Sequence, residues 1–243
     1  MGMTDALRAI DVAVLAGGLG TRLAGAVPGL PKALAPVGGR PFLEHLLDWL
    51  EGHGARRIVL LLGHRADQIE AHLARHPRRH LEFAFSVEPE PLGTGGALGF
   101  ARRHFRSDPV LVVNGDTFVD GDLEALAHAH RASGAPATML CVEVPDAGRY
   151  GRVDVKDGRI AAFREKDPSF RGAAAINAGV YLVSKALLST MAADRPVSLE
   201  RDVFEKLSPG TLAAFVDRKA RFVDIGTPES WAGAASVVEG RAP

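Results

Sequence analysis

Short apolar runs rich in β-branched residues alternate along this chain with longer segments whose apolar positions recur every three or four residues. That alternation predicts βαβ units, an α/β fold and a mixed, mainly parallel sheet. Val12 to Leu15 reads as a buried strand, and after a long loop Pro41 opens a helix in which Phe42, Leu43, Leu46, Leu47 and Leu50 keep helical spacing until Gly54 ends it. Strands follow at Arg57 to Leu62, Leu81 to Val87 and Pro109 to Val113, with helices at Ala66 to His76 and Gly95 to His104 between them.

The second half reads differently. Asp157-Gly158 lies between Gly151 to Val155 and Ile160 to Phe163, the usual turn of a two-stranded hairpin, so antiparallel members are expected. Ala174 to Val183 reads as a strand, Ser184 to Ala193 and Ser198 to Leu207 as helical, and Pro228 to Gly240 as a closing helix. No repeat, low-complexity tract or linker interrupts the 243 residues, and no hexapeptide β-helix repeat follows the α/β region. One compact domain over 1–243 is expected.

Composition narrows the partners. Lysine plus arginine equals aspartate plus glutamate at 29 each, so no whole-molecule field favours nucleic acid or an anionic membrane. An anionic ligand must then be met locally. The single cysteine, Cys141, falls in the apolar run Ala137 to Val144, which excludes an internal disulfide and suits a reducing compartment. The N-terminal MGMTDALRAID has no signal-peptide pattern, and no run approaches the roughly 18 apolar residues needed to cross a bilayer. A soluble, cytoplasmic protein is expected.

Four segments carry candidate chemistry. Leu15, Ala16, Gly17, Gly18, Gly20 and Thr21 form a glycine-rich loop directly after a buried strand, where missing side chains let backbone N–H groups approach phosphate oxygens. It lacks the Lys-Ser/Thr ending of a Walker A loop, and no acidic residue about 20 positions on completes a dinucleotide fingerprint. A plain tight turn is the alternative, but Arg22 and Lys32 nearby supply two cations for a polyphosphate. Asn114, Gly115 and Asp116 leave the carboxyl end of a strand, where open α/β sheets bind ligands. Asp224 ends a second short strand, Arg221 to Val223, and two such carboxylates can share a hard cation; each also reads as a turn or helix cap. Finally, EPEPLGTGGA places Glu88 before Gly93, Thr94 and a second glycine cluster, Gly95 and Gly96, whose backbone donors suit a base or ribose, with a surface loop as the alternative.

Taken in order, LAGGLGTRL, LPK, EPEPLGTGGA, VNGD, YGRV, EK, NAG and DIGTP resemble the motifs of the sugar-phosphate nucleotidyltransferases over nearly the whole chain. Within that family, Leu30 to Leu50 and the bare catalytic domain look most like the bacterial D-glycero-α-D-manno-heptose 1-phosphate guanylyltransferases. The resemblance implies a Rossmann-like three-layer α/β/α fold, with a nucleotide-binding half over about 10–145 and a sugar-phosphate-binding half over about 146–243. It implies that Arg22 and Lys32 bind the triphosphate and that Asp116 and Asp224 hold Mg²⁺. Lys166 would meet the phosphate of the sugar 1-phosphate, Glu165 and Asn177 would orient sugar hydroxyls, and Tyr150, Gly151 and Gly179 would border the sugar. The implied reaction is in-line attack of the sugar phosphate on the nucleotide α-phosphorus, with pyrophosphate leaving and no protein nucleophile. It leaves a homodimer open, and equally whether the product feeds lipopolysaccharide, capsule or S-layer glycan.

Glu88 bears on the base. A carboxylate only accepts hydrogen bonds, and guanine offers two adjacent donors where uracil offers one between acceptors, so Glu88 favours GTP if it faces the base. Mannose 1-phosphate as acceptor, uridylyl transfer, and a non-catalytic nucleotide-sensing subunit stand as alternatives.

Overall fold

The structure, a computed structural model, describes residues 5–23 and 25–240; the first four residues, which belong to the N-terminal stretch read above, lie outside the described residues. In chain order the elements are β1 (Val12–Leu15), β2 (Pro36–Val37), β3 (Arg40–Pro41), α1 (Phe42–Gly52), β4 (Arg57–Leu62), α2 (Ala66–Arg75), β5 (Glu82–Val87), α3 (Gly93–Ala101), β6 (Val110–Asn114) and β7 (Thr117–Val119). There follow α4 (Leu123–Ser133), β8 (Ala137–Val144), β9 (Arg152–Lys156), β10 (Arg159–Arg164), β11 (Ala174–Val183), α5 (Lys185–Ser189), β12 (Ala213–Asp217), β13 (Phe222–Asp224) and α6 (Pro228–Val238).

Nine of these strands make one sheet in the order β5-β4-β1-β6-β11-β8-β12-β10-β9. Alternation along the four-residue β1 shows how both faces are buried. Val12 and Val14 belong to a cluster with Leu46 and Leu50 of α1, Leu73 of α2 and Leu126 of α4. Ala13 belongs to another, with Leu98 of α3, Leu188 of α5 and Tyr181 of β11. Successive side chains of a strand point to opposite faces, so a strand buried on both reads as a continuous apolar run. Each fully buried leucine adds roughly 2 kcal/mol to the folded state before entropy is set against it.

The expectation of a mainly parallel sheet needs correcting. Four strand pairings are parallel, β1–β4, β1–β6, β4–β5 and β8–β12. Five are antiparallel, β6–β11, β8–β11, β9–β11, β9–β10 and β10–β12. The reason is β11, which returns antiparallel between β6 and β8; the Asp157-Gly158 hairpin then adds β9 and β10. The sheet is mixed, and only its first half is parallel throughout.

Other departures have local causes. The helix expected to Ala193 stops at Ser189, and the chain leaves it to press the Met191 and Ala192 carbonyls against α3, where a Cβ on Gly99 would lie 2.4 Å from the Ala192 oxygen. Ser198 to Leu207 is not a regular helix but a wide π-type turn, Leu199–Val203, and a 3-10 turn, Phe204–Lys206. Helix α4 and strand β12 were not foreseen, although α4 carries both end signals. Asp122 caps its first turn by accepting from Ala125 N–H at 2.9 Å, and Gly134 follows it at φ 58°.

Register places the site. Leu15 pairs with Leu61 and with Asn114, and Leu62 pairs with Val87. The residues after β1, β4, β5 and β6 therefore all emerge at one carboxyl edge, where an open α/β sheet receives ligands.

Candidate functional site

At that edge Leu15, Ala16, Gly17, Gly18, Lys32, Glu88, Gly93, Thr94, Asn114, Gly115 and Asp116 line one cavity of about 290 Å³. Absent side chains shape it. A Cβ on Gly17 would lie 3.0 Å from Glu88 Oε1, and one on Gly115 would lie 2.7 Å from the Leu15 carbonyl, which already accepts from Gly115 N–H. Glu88 faces the glycine loop, its Oε1 close to both Gly17 and the adjacent Gly63, and its Oε2 accepts from Leu92 N–H at 3.2 Å. Burial holds the Glu88 carboxyl above the ordinary carboxylate range, against the lowering effect of that N–H. Oδ1 of Asn114 is buried with no partner among the described residues, although the residue itself lines the cavity.

The charged residues gather at the mouth. Lys32 Nζ donates to Asp116 Oδ2 at 2.5 Å. Strands β7 and β13 pair Thr117 with Asp224, and Ile225 N–H donates to the Asp116 carbonyl, which brings the two acidic residues onto neighbouring backbones. Asp224 Oδ1 accepts from Gly226 N–H at 2.9 Å and from Ser230 Oγ at 3.3 Å. A Cβ at position 226 would lie 2.6 Å from Asp224 Oδ1 and 3.6 Å from both a terminal nitrogen of Arg22 and Lys32 Nζ. Two cations and a carboxylate thus flank one point. Gly20 and Thr21 border a separate hollow on the outer side of the glycine loop.

No group of three or more His, Cys, Asp or Glu able to hold a metal occurs among the described residues. Two carboxylates are what a cation needs when phosphates and water complete its shell, so the oxygen donors of Asp116 and Asp224 fit Mg²⁺ bound together with a phosphate ligand. Cys141 lies in the sheet interior with its thiol pushed up to about 12 by burial, which rules it out as a nucleophile at neutral pH.

Gly151, Glu165 and Asn177 line a further cavity of about 370 Å³. Tyr150 packs edge-on against Phe222, and burial, with the Asp224 charge second, raises its hydroxyl above the ordinary tyrosine value. Lys166 is exposed and lines neither this cavity nor the first. Gly179 borders neither of these two cavities; it stands in the irregular stretch of β11 at φ 71°, where a Cβ would lie 2.6 Å from Asn114 Nδ2. Only glycine lets those two meet.

One expectation is overturned. The Gly95 and Gly96 N–H groups, read as donors for a base or ribose, both donate to the Val197 carbonyl, at 2.8 and 3.2 Å. These glycines let α3 and the 191–199 segment approach closely. That packing delivers a residue the motifs missed, Glu200, which lines the second cavity. Glu200 Oε1 accepts from the buried Tyr181 hydroxyl at 2.9 Å, the same hydroxyl accepts from Asn177 Nδ2 at 2.7 Å, and Thr94 Oγ1 donates to Glu200 Oε2 at 3.3 Å. Arg152, also in that cavity, stacks on Phe170 at 3.8 Å. The available signal for Glu200 was the π-type turn, which a helical pattern conceals.

Known proteins resemble this chain over most of its length. The chain is 33% identical to a D-glycero-α-D-manno-heptose 1-phosphate guanylyltransferase of Aneurinibacillus thermoaerophilus, over 91% of this chain and 95% of that protein. It is 34% identical to a mannose-1-phosphate guanylyltransferase of Mycobacterium tuberculosis, over 96% of this chain and 66% of that one. The crystal structure of HddC from Yersinia pseudotuberculosis complexed with GMP-PN superposes with a TM-score of 0.84 at 36% identity, covering 93% of this chain and 98% of that one. Residues 12–240 match the nucleotidyl transferase family, and the chain belongs to it.

Proposed function

We propose that the chain transfers a guanylyl group from GTP to a sugar 1-phosphate, with D-glycero-α-D-manno-heptose 1-phosphate as acceptor, giving GDP-heptose and pyrophosphate. The observation that carries this reading is the clustering of Arg22, Lys32, Asp116 and Asp224 at the mouth of a cavity whose inner wall holds Glu88. Relatives named for heptose 1-phosphate and mannose 1-phosphate guanylyl transfer support the class, and the first of them, matched almost end to end, favours the heptose.

In the reaction a phosphate oxygen of the sugar 1-phosphate bonds to the α-phosphorus while the α–β P–O bond breaks, and pyrophosphate departs with that electron pair. Arg22 and Lys32 offset the charge that develops on the transferring and leaving phosphates. Mg²⁺, held by Asp116 and Asp224, would when bound neutralise phosphate charge and fix phosphate orientation. Glu88 accepts from guanine N1–H and N2–H, and Asn114 borders the bound nucleotide. Glu165 and Asn177 orient the sugar, with Lys166 reaching its phosphate from the exposed strand end. No side chain forms a covalent bond, so positioning and electrostatics carry the rate. The same reading takes the two-faced sheet as the middle of a three-layer α/β/α domain, nucleotide half first and sugar half second. Among the described residues no helix is long and apolar enough to cross a membrane, which accords with a cytoplasmic enzyme.

Pyrophosphate release measured with GTP, ATP, UTP and CTP against heptose, mannose and glucosamine 1-phosphates tests it. GTP with the heptose 1-phosphate is expected to give the highest kcat/KM. Turnover with UTP and none with GTP would refute the guanylyl assignment, and mannose 1-phosphate outperforming the heptose would move the acceptor.

A further inference from the structure

The glycine-rich loop has a second hollow on its outer side, about 240 Å³ in volume and lined by Leu19, Gly20, Thr21, Lys32, His64 and Arg65 among others. It shares Leu19 and Lys32 with the nucleotide cavity, so the two adjoin along the loop. Of the two cations in the motifs, Lys32 is engaged by Asp116, and the Arg22 guanidinium lies near Gly226.

Arg65 also lines the hollow. Its guanidinium has no hydrogen-bond or ion-pair partner among the described residues, and the residue is half-buried. It also holds a left-handed backbone, φ 59°, ψ 34°, at the residue preceding α2. Of the two non-glycine residues in that region among those described, Asp157 is explained by its hairpin turn, where asparagine and aspartate are favoured. Arginine has no such preference, and glycine would adopt the same angles without strain. A strained, uncommitted cation facing a hollow beside a phosphate-type loop calls for an anion as its reason.

We infer that Arg65 binds the β/γ-phosphate end of the nucleoside triphosphate, and hence the departing pyrophosphate. The inference rests on the proposed triphosphate reading but names a residue that reading does not use. A guanidinium donates two parallel N–H bonds to phosphate oxygens, so it would secure the leaving group without touching base, ribose or α-phosphate.

The test is calorimetric titration, without acceptor, of the intact protein and of its Arg65→Ala, Arg65→Gly and Arg65→Lys variants with the triphosphate that turns over best and with its monophosphate. Arg65→Ala and Arg65→Gly are expected to weaken triphosphate binding about tenfold, one charge-assisted contact. Monophosphate binding should stay within about twofold, and inhibition by pyrophosphate should weaken in parallel. Arg65→Lys should recover part of the loss. Arg65→Gly separates side chain from backbone, since it relieves the strain while removing the cation. If Arg65→Gly keeps the unaltered triphosphate-to-monophosphate ratio, or if both nucleotides weaken equally, the inference is wrong. Failure of the unaltered protein to bind any triphosphate more tightly than its monophosphate overturns both this inference and the underlying reading, whereas loss of turnover alone touches only the latter.

Discussion

The ammonium of Lys32 meets the carboxylate of Asp116 at 2.5 Å across 84 residues of sequence, with the lysine largely buried and the aspartate 40% exposed. The lysine therefore holds one carboxylate oxygen while leaving the group open to a ligand. Asp116→Asn removes the charge and keeps the shape. It is expected to lower kcat by about 10²-fold or more, since a charge-stabilising contact in the transition state is worth about 3 kcal/mol. Steady-state kinetics at saturating Mg²⁺ measures this, and near-normal turnover would remove Asp116 from the metal site.

Chelation should abolish pyrophosphate release, and added Mg²⁺ should restore it. Asp224→Asn is expected to raise the Mg²⁺ concentration for half-maximal activity by about tenfold or more, because one of two protein carboxylates is lost. Ser230→Ala, which removes a donor to Asp224 Oδ1, should shift it in the same direction by less. A Mg²⁺ titration unchanged in Asp224→Asn would leave that residue as an acceptor for Gly226 N–H and the Ser230 hydroxyl and nothing more.

Glu88→Gln should lower the ratio of GTP to UTP use by about tenfold, taking paired bonds to a charged acceptor as about 1.5 kcal/mol stronger than those to a neutral amide. The unliganded protein gives a second readout. Burial raises the Glu88 pKa in the folded state, so its protonated form is favoured there. Its contribution to stability is fully present below the unfolded-state value and declines as pH rises through the raised one. Glu88→Gln has no such decline. Thermal denaturation should show the variant gaining on the unaltered protein as pH rises from about 4 towards neutrality, with no gain in acid.

Tyr181→Phe deletes the hydroxyl that joins Asn177 to Glu200 inside the sheet. Two polar groups of half-buried residues lose a partner, and the expected cost is about 1 kcal/mol in urea unfolding. A loss under about 0.5 kcal/mol would mean that the three groups are not joined in solution.

Much of this was legible in the chain. The strands β1, β4 and β11 appear at their observed limits because apolar runs buried on both faces have no other reading. The glycine loop and Asn114 to Asp116 could be placed together because both follow strands, and parallel register does the rest. What escaped depends on contacts between segments. Gly95 and Gly96 look alike whether they admit a ligand or a neighbouring backbone, and only the Val197 carbonyl decides. Glu200 lies behind a serine cap and good helix formers, so local propensity predicts a helix where packing imposes a wide turn. Strand β12 is short and half-exposed, and its place between β8 and β10 is set by partners distant in sequence.

The Thr94 hydroxyl has a consequence for the order of events. It belongs to the wall of the nucleotide cavity and donates to Glu200, which belongs to the wall of the other. Two ligands that share a hydrogen-bonded partition do not bind independently, because each biases the orientation of the group the other meets. Linkage makes the bias mutual: the factor by which nucleotide alters the affinity for the second substrate equals the factor by which that substrate alters the affinity for nucleotide. Thr94→Val, which keeps the shape and deletes the donor, is where that coupling would disappear from both titrations at once.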